Sequence, residues 1–234
     1  MAVILNIDTS TEVCSVALGK NGKLLFEKES REGLNHSELL TVFIEELFAG
    51  NNFDIKNIDA VAVSKGPGSY TGLRIGVSVA KGLCYALEKP LVSVGSLDAM
   101  GFYAAQNINR FSDEKNLLLC PMIDARRMEV YTALYNSAGE TVQPVTARII
   151  DENSFSNELK ENSILFFGNG AEKCKAHLTH PNALFSGPFA TSAQFMLFLS
   201  EKKYNKKEFE DVAYFEPFYL KNFVATIPKN KILK

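Results

Sequence analysis

The chain has 234 residues, 46% of them hydrophobic and 22% charged, with a formal net charge of −2 at pH 7. That balance fits a soluble globular protein of one large or two small domains and leaves no global basic surface for nucleic acid. No apolar run reaches the ~20 residues that cross a bilayer. The first residues carry neither the basic segment nor the cleavable apolar region of a signal peptide, so a cytoplasmic protein without membrane association is expected. Cys14, Cys84, Cys120 and Cys174 stand far apart in apolar stretches with no Cys-x-x-Cys pair, which predicts free buried thiols in a reducing compartment.

In chain order, residues 3–7 are a continuous apolar run ending at Asp8. Residues 14–19 and 23–29 flank Lys20-Asn21-Gly22-Lys23, and Asn-Gly between two strand-like runs predicts a tight hairpin. A helix follows over 36–49. Its Leu40, Phe43, Ile44 and Leu47 form one stripe that can cover a sheet. Leu39, Val42 and Phe48 extend apolar surface beyond that stripe, which suits either a helix buried on several faces or one that docks a partner helix. Strand 60–63, helix 70–87, strand 91–94 and a helix capped by Ser96 and running to about Ala105 complete the first half.

From strand 60–63 into helix 70–87 the chain reads Gly66-Pro67-Gly68-Ser69-Tyr70-Thr71-Gly72-Leu73-Arg74-Ile75-Gly76. Gly66 and Gly68 allow backbone angles that side chains forbid, Pro67 fixes the turn, and Ser69 or Thr71 can cap the helix. A glycine-rich strand-to-helix turn exposes N–H groups, so it reads as an anion site or as a purely structural tight turn. Its spacing matches neither a P-loop nor a dinucleotide fingerprint. Gly72, Gly76 and Ala80 recur every fourth residue, a small-residue ridge that lets another helix approach from within the chain or from a partner.

The second half repeats the order. Residues 117–123 end at Asp124, and strand 128–135, a turn at Asn136–Gly139 and strand 141–150 follow. A helix over 152–161, strand Ile164–Phe167, Gly168-Asn169-Gly170 with a short helix, and a helix over 192–203 come next. Two β-β-β-α-β-α units predict an α/β fold of the actin-like (ASKHA, ribonuclease H-like) kind, duplicated about an interdomain cleft, with a reduced second half. The expected division is 1–110, 111–220 and a basic tail 221–234, the boundary falling in polar Asn107–Asn116. The tail, with Lys221, Lys229, Lys231 and Lys234, is a frayed end or a docking or RNA-contacting segment.

Ile4-Leu5-Asn6-Ile7-Asp8-Thr9-Ser10, the Gly66–Gly76 run, Asp124-Ala125-Arg126-Arg127-Met128-Glu129-Val130-Tyr131 and Pro217-Phe218-Tyr219-Leu220-Lys221 resemble the bacterial TsaB (YeaZ) family, which takes part in making threonylcarbamoyladenosine on tRNA. Lys221 departs from the pattern, where arginine is expected. The resemblance covers nearly the whole chain. It implies a non-catalytic scaffold that binds the catalytic paralogue TsaD through its N-terminal helices. It also implies the ATPase TsaE as a further partner and tRNA reached through the complex; a homodimer when alone is expected from the apolar helix surface, and no cofactor is expected. In that scheme TsaD transfers the threonylcarbamoyl group from an adenylate to the adenosine next to the anticodon. Leu39, Val42, Phe43, Leu47, Gly72, Arg74, Gly76 and Ala80 are the expected partner surface.

The same residues weigh against catalysis. Actin-like phosphate turns usually read Asp-x-Gly followed by Thr or Ser. Here they read Asp8-Thr9-Ser10-Thr11-Glu12 and Asp124-Ala125-Arg126-Arg127, without glycine and, in the first, with an added acid. Asp8, Thr9, Ser10 and Asp124 are weak nucleotide candidates. Asp8 and Asp124 either hold magnesium through water or end buried strands and bond local backbone. His36 stands alone, and Pro181 cuts off the His177/His180 pair, so no three-ligand metal centre is expected. TsaD carries a His-x-x-x-His pair that is absent here. A metallopeptidase, suggested by the older superfamily name glycoprotease, lacks both Gly-x-Ser-x-Gly and His-Glu-x-x-His. A nucleotide sensor or kinase-like ATPase lacks its phosphate-turn glycines. Arg74, Arg126 and Arg127 read as partner or nucleotide contacts, or as salt-bridge partners of acids such as Asp124.

Overall fold

The computed structural model describes residues 2–33, 35–110, 116–187 and 189–221. Two five-stranded sheets are built by one rule. The first uses β1 (Val3–Asp8), β2 (Cys14–Lys20), β3 (Lys23–Ser30), β4 (Ala60–Gly66) and β5 (Leu91–Gly95) in the order β3-β2-β1-β4-β5. The second uses β6 (Leu117–Asp124), β7 (Glu129–Tyr135), β8 (Thr141–Ile149), β9 (Ser163–Phe167) and β10 (Ala183–Phe185) in the equivalent order β8-β7-β6-β9-β10. In each sheet the first strand pairs antiparallel with the second and parallel with the fourth. This is the duplicated actin-like α/β fold.

Local chemistry sets the elements. Every residue of central β1 is buried, which is why it reads apolar without alternation. Asn21 and Gly22 both take left-handed φ, 54° and 70°, the pair a tight β2–β3 hairpin requires. Helix α1 (His36–Ala49) and helix α2 (Tyr70–Leu87) cover the outer face of the first sheet. Ser69 caps α2, its hydroxyl oxygen accepting from Gly72 N at 3.2 Å, and Glu88 ends it at φ 54°.

A second apolar layer lies between the sheets. Helix α3 (Ser96–Gln106) follows the first sheet yet also packs against β6 and β7; a Cβ on Gly101 would lie 2.5 Å from the Tyr135 ring. Helix α5 (Leu197–Asn205) follows the second sheet yet packs against β1, β3 and β5. One cluster accordingly joins Ile4, Val92 and Val94 to Leu119, Tyr135 and Phe167 through Leu97 and Met100. Beyond α5 the chain stays on the first half. Glu210 bridges Leu91, Lys81 Nζ donates to the carbonyls of Ala213 and Phe215, and Phe218 N donates to Lys65 O at 2.7 Å.

Several expected boundaries move. The helix expected over 152–161 is α4 (Ser156–Glu161), because Asp151 Oδ1 accepts from Asn153 N and the Ser154 hydroxyl and closes a turn first. The expected 192–203 helix begins as a 3-10 turn, Ala193–Met196, before α5. Gly95, and not Ser96, is the α3 cap, while the Ser96 hydroxyl pairs with Ser64 at 2.8 Å. Short β10 was not expected. All four cysteines are free and buried; burial pushes their thiols up, to about 11 for Cys14 and Cys174 and about 12 for Cys84 and Cys120. The boundary residues 111–115 and tail residues 222–234, with Lys229, Lys231 and Lys234, lie outside the described residues.

Candidate functional site

All four segments that carry the family resemblance converge on one cleft of about 600 Å³ between the halves. Its walls are the β1–β2 turn, the turn into α2, the β6–β7 turn and the end of the 208–221 segment. Ser10 and Asp124 line it, whereas Asp8 and Thr9, the other two nucleotide candidates, lie beneath it. The reason is local. Thr9 Oγ1 donates to Gly72 O at 2.8 Å, and Asp8 Oδ1 accepts from Ser10 N at 2.8 Å. Burial raises the Asp8 carboxyl above its ordinary value against the opposing pull of Ser10 and His36.

The glycine turn closes tightly on the β1–β2 turn. A Cβ on Gly68 would lie 2.1 Å from Ser10 O, one on Gly72 2.1 Å from Thr9 O, and one on Gly76 2.3 Å from Thr9 Oγ1. Ser69 N donates to Ser10 O at 2.7 Å, and Gly72 N to Ser69 Oγ. Two N–H groups at the start of α2 are thus bonded within the chain. Gly66 has φ 104° and joins Pro67 through a cis bond. Thr71 is exposed at the cleft mouth.

Across the cleft, the acid added to the first turn has a partner. Asn169 Nδ2 donates to Glu12 Oε2 at 2.7 Å, and Asn169 Oδ1 accepts from Asp124 N at 3.0 Å. Asp124 pairs with Lys173 at 3.1 Å, and among the described residues no ion pair joins Arg74, Arg126 or Arg127 to it. Arg126 and Arg127 adopt left-handed φ of 70° and 51°, a conformation that costs non-glycine residues of order 1–3 kcal/mol each. Arg74 instead lies 4.3 Å from the Tyr70 ring centroid, and its Nε donates to the Tyr219 hydroxyl at 3.1 Å. Lys221 pairs with Glu129 and so fastens the end of that segment to the second half. Among the described residues no three His, Cys, Asp or Glu side chains cluster as a metal centre requires. His36 is buried, its Nε2 bonded to Thr11 O at 2.7 Å.

The second candidate surface is the outer face of α1 and α2. Here the expected partner residues divide. Leu47 and Ala80 are fully buried under the sheet-covering stripe, and Gly72 and Gly76 face Thr9; these four build the interior and offer no surface. Val42 is 42% exposed, Leu39 and Phe43 are half-buried, and Arg74 is exposed. The same two helices also wall a strongly apolar groove of about 470 Å³, with Ile44, Phe48, Phe53, Ile55, Val79 and Leu83 on its walls and Glu45 and Asp54 at its rim. A second small-residue ridge lies one face over on α2. Ser78, Gly82 and Ala86 are exposed on α2, and a Cβ on Gly82 would meet nothing within 4 Å.

Comparison with known proteins finds the following relatives. A family model described as TsaD, tRNA N6-adenosine threonylcarbamoyltransferase, matches residues 31–229. The tRNA threonylcarbamoyladenosine biosynthesis protein TsaB of Haemophilus influenzae is 29% identical over 231 residues, 95% of this chain and 94% of that protein. TsaB of Bacillus subtilis is 33% identical over 169 residues, 71% of this chain and 70% of that protein. YeaZ from Pseudomonas aeruginosa superposes with a TM-score of 0.78 at 25% identity, covering 94% of this chain and all of that one.

Proposed function

The chain belongs to the TsaB (YeaZ) family, within the wider group that the TsaD model describes, and takes part in tRNA threonylcarbamoyladenosine biosynthesis; from that premise we propose that it is the non-catalytic scaffold of the modifying assembly. It binds a TsaD paralogue through the outer face of α1 and α2, and through that complex meets the ATPase TsaE and the tRNA. It supplies a required surface in the cytoplasm and no catalytic residue or cofactor site. Alone, it covers the same face by pairing with a second copy.

The observation that carries this reading is the apolar groove between α1 and α2, together with exposed Val42 on α1 and the open Gly82 ridge on α2. Exposed small residues let a partner helix approach closely, and apolar walls receive its side chains. The close seating of the glycine turn on Ser10 supports the same reading, since side chains and backbone occupy the ground of a phosphate turn.

Size-exclusion chromatography with light scattering tests it. This chain, alone and mixed with TsaD from the same organism, should pass from a self-associated species to a mixed complex. If the two elute apart even with ATP and TsaE present, the scaffold reading fails. A nucleotide sensor is the second reading, favoured by Arg126 and Arg127 on the cleft wall; a rise in melting temperature with ATP and magnesium would support it.

A further inference from the structure

A third cavity, about 290 Å³, opens where α3, α5 and the β7–β8 hairpin meet, away from both surfaces described above. It is at the small end of ligand pockets, which run ~300–1,000 Å³. We propose that it binds a small monocarboxylate with an apolar body, the carboxylate received by Lys203 and the body held by Phe102 and Leu199.

Lys203 is half-buried, and among the described residues no hydrogen bond or ion pair ends on its ammonium. The carboxylates around it are already engaged. Asp98 accepts the Tyr135 hydroxyl at 2.8 Å, Glu208 pairs with Lys206 at 3.7 Å, and Glu210 accepts the Ser93 hydroxyl. Burial, with Lys65 nearby, depresses the Lys203 pKa against the opposing pull of Glu210, Glu208 and Asp98, none of which hydrogen-bonds its ammonium. An ammonium taken partly from water and left without an acceptor is a destabilised charge, and a ligand carboxylate supplies the missing partner through a charge-assisted bond.

The rest of the lining sets the ligand class. Phe102 stacks on Phe198 with ring centroids 4.6 Å apart and planes 11° apart, giving a fixed aromatic wall. Gly139, at φ 79°, brings the hairpin onto that wall; a Cβ there would lie 3.1 Å from the Phe102 ring. Lys202, Lys203 and Lys206 face Asp98 and Glu208 in the lining, a formal balance of 3 − 2 = +1. A single negative charge is matched, whereas a phosphate dianion would meet two carboxylates with no charge to spare.

The test is a two-dimensional amide NMR titration of the whole chain with acetate, isovalerate and phenylacetate, and with the neutral phenylacetamide. Phenylacetate or isovalerate should give saturable shifts at Gly95, Phe102, Gly139 and Thr141, with acetate and phenylacetamide about tenfold weaker or more. Lys203→Gln should weaken the acid by about tenfold with the remaining spectrum unchanged, and Lys203→Arg should retain it. The proposal is overturned if none of the three acids shifts those amides saturably, if phenylacetamide binds as well as phenylacetate, or if Lys203→Gln binds unchanged. The amide comparison uses the unaltered chain and so stands even where a variant fails to fold.

Discussion

The two halves share a strand order and differ in what covers their outer faces. The first sheet carries a 14-residue and an 18-residue helix, α1 and α2. The second carries the 6-residue α4 and a 3-10 turn, Glu172–Cys174. Covering a sheet needs only the second solution: Phe155, Leu159, Cys174 and Leu178 seal β6, β7 and β9 with side chains nearly all buried. The first half keeps more helix than its sheet requires, and the surplus is the surface with the apolar groove. The comparison separates residues that close a core from residues that remain available, and the two kinds alternate on one helix.

The largest effect should come from confusing the two kinds on α2. Gly72→Val pushes a Cβ onto the Thr9 carbonyl and should cost more than about 4 kcal/mol, read as loss of a cooperative urea transition. Gly82→Ala, ten residues on and facing open space, should stabilise the chain by about 0.5–1 kcal/mol. Equal effects at the two sites would erase the distinction between inner and outer ridges.

The thin cover of the second half should be the less tolerant one. Phe155 is 1% exposed and touches both the Phe166 ring and the Arg148 guanidinium. Phe155→Ala should cost about 3–5 kcal/mol by denaturant unfolding. A loss under about 1 kcal/mol would mean that α4 is dispensable.

At the cleft, Asp8→Asn should raise the melting temperature at pH 7 by ~2–4 °C. The folded state holds the Asp8 proton more tightly than the unfolded chain, whose carboxyl titrates near 3.8. Its stabilising contribution is therefore complete below that value and is lost as pH rises through the folded-state pKa. The advantage of the variant should shrink on acidification toward pH 4; an advantage that grows there would contradict the assigned burial cost. The smallest effect belongs to Glu12→Gln, which weakens one exposed cross-cleft bond and should cost about 0.5–1 kcal/mol.

The sequence made the strands legible where burial imposes a pattern: the solid apolar run of β1, the Asn21-Gly22 hairpin and the stripe of α1 all read directly. It was mute where partners are distant. Nothing near Glu12 announces Asn169, 157 residues away. Three-residue β10 is too short for any period, and the Asp151–Ser154 turn, which delays α4, competes with a helix signal of equal strength. The phase of the small ridges was the costliest gap. Gly72, Gly76 and Ala80 and, one face over, Ser78, Gly82 and Ala86 have the same spacing; the first ridge is inside, seated on Thr9 with Leu73, Val77 and Cys84 buried alongside it. Four separate motifs lead to the cleft, while the groove depends on Phe53 and Ile55 folding back against α1 and α2, which no local pattern encodes.

Isothermal titration of TsaD from the same organism into this chain tests the central claim most directly, using Val42→Glu beside Tyr214→Glu, a control at a more exposed residue (84%, against 42% for Val42) on the returning segment. Both variants should fold with stability within about 0.5 kcal/mol of the parent. The account predicts that Val42→Glu weakens binding at least about tenfold, since a charge enters an apolar contact, while Tyr214→Glu leaves it unchanged. Undiminished binding by Val42→Glu would contradict the assignment of the α1–α2 face as the docking surface.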